Sequence, residues 1–195
     1  MNNADYLYAF VFKGEITQDS ISRLLDQSNK EVLDSAEKIS QKMPIDLLDE
    51  EFTSSATKMA SVYVAINAFE NSVRKFVQDR LLEEIGAEWW QNNVSKSIRD
   101  QADKRKKDEE QIRWHGSRGS SMIFYTQMGD LANIMASQDN IQYFQPYIQS
   151  VEWARQIFNS LERSRNVIMH GGELSMHDIE RVAMNIRDWI RQVGG

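Results

Sequence analysis

Residues 55–85 contain neither proline nor glycine, and their apolar side chains recur at helical steps. Met59, Val62, Tyr63, Ile66, Phe69, Val73, Phe76, Val77 and Leu81 follow one another at intervals of mostly three or four. That spacing predicts one helix of roughly eight turns with a continuous apolar stripe. A helix this long cannot cover its own stripe, so it requires other helices to pack against it. Only two prolines and nine glycines interrupt the whole chain of 195 residues. The expectation is an all-α fold, a helical bundle over residues 55–195 preceded by an acidic, mostly helical extension over residues 1–54.

The remaining segments read as shorter helices. Thr17 or Asp19 can cap a helix through about Gln41, which Met43-Pro44-Ile45 ends. The acidic, polar residues 46–54 form the expected boundary, and Gly86 the stop of the long helix. A turn carries Trp89-Trp90, and a polar helix covers about 93–111. Residues 113–121 read as a loop. A short helix follows over 126–136, another begins near Gln138, and Pro146 opens the next. Val151, Ala154, Ile157, Phe158, Leu161 and Ile168 mark an amphipathic helix ending near His170. Ser175 can cap the last helix, with Asp178 three residues on as the reciprocal acid. Residues 6–12 alternate aromatic and aliphatic side chains and suit an arm packed on helices or on another chain.

Composition removes several classes of function. The chain has no cysteine, so disulfides and thiolate metal sites are excluded, and with three histidines no metal or other cofactor is expected. No apolar run is long enough to span a bilayer, and the N-terminus lacks the pattern of a secretory signal. A cytoplasmic protein without membrane association is the expectation. The net charge of −6 argues against a broad, sequence-blind nucleic-acid surface. The acidity is uneven. Residues 1–60 carry six Lys/Arg against eleven Asp/Glu, and the rest 17 against 18. The second part is nearly neutral, with local basic clusters.

One short stretch carries chemistry. Arg165-Asn166-Val167-Ile168-Met169-His170 lies at the end of the penultimate helix, followed by Gly171-Gly172. A guanidinium can grip a phosphate in a fixed orientation, and an imidazole can exchange a proton near neutral pH. Five helical steps set Arg165 and His170 roughly 140° apart, so the two do not share a face by spacing alone. Convergence requires a long arginine reaching round, a distorted helix end, or a second subunit. The plainer reading is a solvated arginine and a histidine closing a helix C-terminus.

With their surroundings, these residues resemble the Arg-x(4–6)-His signature of HEPN domains, which are four- or five-helix bundles found in many bacterial RNase toxins and phage-defence proteins. Ala68-Phe69-Glu70-Asn71-Ser72-Val73-Arg74 looks like that family's early helix. Glu88-Trp89-Trp90, the basic run 104–107, Trp114-His115 and Tyr125-Thr126-Gln127-Met128-Gly129-Asp130-Leu131 resemble a branch that also occurs at the tail of a nuclear mRNA quality-control endonuclease. The resemblance covers about residues 55–195. It implies a homodimer with the motif helices facing each other, acting on RNA as a metal-independent endoribonuclease under an antitoxin or regulatory protein partner. His170 would be the acid/base, Arg165 the transition-state stabiliser, Asn166 the orienter and Glu70 their support. Arg74, Arg113, His115, Arg118 and Arg163 are the candidate RNA-binding residues. The alternatives are a non-catalytic HEPN module for dimerisation or for nucleic-acid or protein docking, and a pure protein-interaction subunit.

Simpler readings stand beside several of these. Glu70 and Arg74, four apart, suit an exposed intrahelical ion pair. The acid after Lys104–Lys107 suits a solvated, self-paired face. Trp114 suits the core, although a ring among Arg113, His115 and Arg118 also suits a single-strand binder.

Overall fold

The computed structural model describes residues 38–194, so the expected arm 6–12 and most of the expected helix 17–41 lie outside the described residues. The chain divides into two compact units, Met1–Thr53 and Ser54–Gly195. In the first, the described residues include a 3-10 turn at Ile45–Leu47. Asp49 then accepts from the Glu51 backbone N–H at 3.0 Å.

The helices are α1 (Glu50–Ile85), α2 (Trp89–Asn93), α3 (Lys96–Glu110), α4 (Met128–Ala136), α5 (Ile141–Phe144), α6 (Val151–Met169) and α7 (Met176–Val193), with a 3-10 turn at Met122–Tyr125 before α4. No strand occurs among the described residues, and the fold is all-α. The long helix starts five residues before the expected residue 55, because Asp49 caps it and Glu50 and Glu51 fill its first turn. Acid is favourable at a helix N-terminus, so Glu50 and Glu51 open the helix. Trp89-Trp90 likewise sit in a short helix, α2, and not in a turn. Pro146 opens no helix; it lies in the turn after α5, and α6 is started by Ser150, whose hydroxyl accepts from Trp153 N–H at 3.0 Å.

The core of the second unit forms around the apolar face of α1. Ile66, Val73, Val77 and Leu81 are fully enclosed, together with Leu131, Met135, Phe144, Phe158 and Leu161 from the later helices. Helix α6 packs against both α4 and α7. Trp189 of α7 stacks flat on Trp153 of α6 at 5.6 Å and meets Phe69 of α1 edge-on at 5.8 Å. These aromatic contacts hold α1, α6 and α7 together.

The end of α6 is built by its two glycines. Gly171 has φ +78°, a conformation costly for residues with a Cβ. Its N–H donates to Ile168 C=O at 3.0 Å, and the Gly172 N–H donates to Val167 C=O at 2.8 Å. This pair of bonds is a Schellman motif, and it makes His170 the C-cap of the helix. The expected cap of α7 is present as well: Ser175 Oγ accepts from Asp178 N–H, and Asp178 returns to Ser175.

Candidate active site

Glu70 lies on α1 and is only 3% exposed. A buried carboxylate needs cationic partners, and two arginines supply them. Arg74, one turn along α1, donates from Nη2 to Glu70 Oε1 at 2.5 Å. Arg165, 95 residues away on α6, donates from Nη1 to Glu70 Oε2 at 2.8 Å. The ion pair expected at an exposed surface is therefore buried, because α6 and the segment before α4 close over that part of α1. Arg74 itself is 9% exposed. It also donates to Thr126 C=O at 3.1 Å and to Asn71 Oδ1 at 3.0 Å. Burial pulls its pKa below the usual arginine value, and the Glu70 carboxylate works in the opposite direction.

These contacts orient Arg165. Its Nη1 is held by Glu70, while Nη2 lies 3.8 Å from Glu162 Oε1, an ion pair too long for a hydrogen bond. The guanidinium lines an open cleft of about 660 Å³ together with Glu70, Arg74, Arg118, Asn166 and His170. The structure thus brings six of the nine candidate residues around one cavity. Asn166 and His170 also line a second groove of about 510 Å³, on the face of α6 that carries Asn159, Glu162, Arg163 and Val167. Arg163 belongs to that groove. Arg113 and His115 are exposed on the loop after α3 and stand outside both linings.

The geometry answers the 140° separation. Arg165 reaches toward α1, and His170 sits where the helix ends, so both face the same cleft without sharing a helical face. Their position at the C-terminal end of α6 leaves Asn166 and His170 exposed.

Two more of the simpler readings are overturned, the second of them in part. Trp114 is not in the core; it is 87% exposed on the loop 111–121, which holds two glycines and has no apolar partner to cover the ring. Arg105 is not part of a self-paired solvated face, since its Nη1 donates to Tyr125 C=O at 2.7 Å and meets Asp130 at 3.3 Å. It ties α3 to the start of α4. Lys106 does pair along its own helix, with Glu110 at 3.8 Å.

The cleft also has walls that were not singled out from the sequence. Asn67, Asn71 and Tyr63 line it from α1, and Thr126 and Gln127 from the segment before α4. The signal was present in α1: Tyr63, Asn67, Glu70, Asn71 and Arg74 form a polar stripe at helical spacing beside the apolar one.

Among the described residues, no group of three or more His, Asp or Glu is placed to hold a metal ion. No helix there is long and apolar enough to cross a membrane. Fold and cleft together define a class: an all-α bundle whose penultimate helix delivers an arginine and a terminal histidine to a cavity backed by a buried acid. Residues 65–194 match the family of Swt1-like HEPN domains, and the chain belongs to that family. No curated protein and no solved structure matches it.

Proposed function

We propose that this protein is a metal-independent endoribonuclease whose active site is completed by a second copy of the chain. The observation that carries this reading is the Glu70–Arg165 ion pair at 2.8 Å, which supports a guanidinium in the cleft that His170 and Asn166 also line. Arg165 has donors left beyond the one held by Glu70. Aimed at a phosphate, they stabilise the charge that builds on the non-bridging oxygens during in-line attack. One imidazole removes the 2′-OH proton. The 2′-oxygen bonds to phosphorus, the bond to the 5′-oxygen breaks, and that oxygen takes a proton from an imidazolium. The product is a 2′,3′-cyclic phosphate or its hydrolysed form.

This chemistry uses two proton carriers, and each chain brings one motif histidine. His115 and His177 are exposed, and neither lines the cleft. A symmetric pair supplies the second His170 and doubles every group. The groove beside Arg163 and Val167 is the face of α6 on which the partner would sit. By its family, the protein suits a toxin or phage-defence effector, restrained by an antitoxin or regulatory partner until triggered.

Incubating single-stranded RNA with the full chain in EDTA tests the reading. Scission should persist in the chelator and be lost in His170→Ala and Arg165→Ala, with both variants still folded. RNA binding without scission would make the protein a docking module. Toxicity on overexpression, relieved by His170→Ala, would reveal a latent activity.

A further inference from the structure

We propose that Trp114 is a stacking platform for an unpaired base, so that the cleft takes single-stranded RNA. This inference names a substrate class and rests on the reading above. Three of the five tryptophans are buried, and Trp153 is packed flat against Trp189. Trp114 alone is left out, more exposed than any other large apolar side chain described. Its one ring neighbour is His115, edge-on at 5.7 Å, so most of the indole is bare.

The loop that presents this ring is held at the end nearer the cleft. Arg118 Nε lies 2.5 Å from Glu109 Oε1, and the Arg118 backbone N–H donates to Glu109 Oε2 at 3.2 Å. Tyr125 Oη donates to Gly119 C=O at 3.2 Å. Gly119 runs so close to the Phe124 ring that a Cβ there would meet it at 3.0 Å. Arg118 and Phe124 themselves line the cleft. Arg118 is four positions after Trp114, so their Cα atoms lie within about 14 Å, a distance a few nucleotides can span. Arg113, the preceding residue, is exposed and adds a cation next to the ring.

A bare flat ring next to an exposed arginine suits a strand whose bases are free to leave their stack. A duplex keeps its base faces covered and offers nothing to the indole. Every base has such a face, so the contact selects for strandedness and not for sequence.

The test uses the full chain carrying His170→Ala, which separates binding from scission. Its affinity is measured for a single-stranded 12-mer RNA bearing 2-aminopurine and for the same RNA in a duplex. The single strand should bind more tightly and its fluorescence should change on binding. Adding Trp114→Ala should weaken binding roughly tenfold or more and abolish that change, whereas Trp114→Phe should retain most of the affinity. Melting temperature checks the fold, which an exposed ring does not support. Equal affinity for the duplex, or no loss with Trp114→Ala, overturns the inference. If the wild type cuts RNA but Trp114→Ala has no effect on binding, only the platform fails. If Trp114 governs binding but the wild type cuts nothing, only the nuclease reading fails. If RNA is neither bound nor cut, both fall.

Discussion

Glu70 holds two guanidinium groups in a place that water scarcely reaches, and removing either side of that arrangement has unequal consequences. Glu70→Ala leaves Arg74 buried beside a lost carboxylate. Breaking a buried pair in this way costs about 3–5 kcal/mol, which urea denaturation would show as a lowered midpoint. Arg165→Ala should cost less, since Glu70 keeps Arg74 and Arg165 is partly exposed. The order reverses for catalysis. Arg165→Ala and His170→Ala should each lower the cleavage rate by about a hundredfold or more while the melting temperature changes little. A cleavage assay alongside a melt distinguishes the two roles. Arg74 is a different case from the other candidate cations. With Glu70, Asn71 and Thr126 around it, its guanidinium holds the cleft wall in place, and Arg74→Lys should destabilise the fold because one ammonium cannot reproduce that fork.

The helix ends decide where these side chains stand. Gly171→Ala puts a Cβ on a backbone at φ +78° and should cost about 1–2 kcal/mol. Gly86, at φ +90° after α1, meets the same penalty, and neither added Cβ touches another group. The two variants should therefore lose similar stability in urea, but only Gly171→Ala should also slow RNA cleavage, because only it shifts His170. Equal slowing in both would show that the α6 terminus has no special part in catalysis. At the other side of the turn, the Ser175 hydroxyl and then its backbone N–H hold the Asp178 carboxyl below the usual carboxylate range, with Arg181 adding to the effect. A depressed carboxylate contributes stability above its unfolded pKa of about 3.9 and loses it as pH falls through the lower folded value. The melting temperature should thus be flat above about pH 5 with respect to this group and fall in acid. Ser175→Ala should lower the plateau and soften the acid-side fall.

For the molecule as a whole, the proposed dimer makes the cleft half of a site. Sedimentation should report about twice the 22.7 kDa chain mass, independent of RNA. Val167 lies on the α6 face beside Arg163, partly exposed. Val167→Asp should leave the monomer folded, halve the sedimenting mass and abolish cleavage. A monomeric protein that still cuts RNA would refute the shared site.

Much of this was written locally. The α1 stripe, the Ser175–Asp178 cap, the Gly171-Gly172 stop and the Arg165–His170 motif depend on contacts within a few residues, and the all-α fold and the family follow from them. Their periodicity and capping chemistry are set by neighbours along the chain. Local pattern misjudged the depth of polar side chains. Glu70 and Arg74 had the spacing of a surface pair, and only the closure of α6, carrying Arg165 across 95 residues, made them a buried support for the cleft. Trp114 had the composition of a core residue and ended in solvent, because no element packs over its loop. Sequence thus determined which helices form and which groups their ends display. Tertiary structure alone decided which charges lose water and which ring keeps it, since desolvation is set by what packs across a residue and not by its neighbours along the chain.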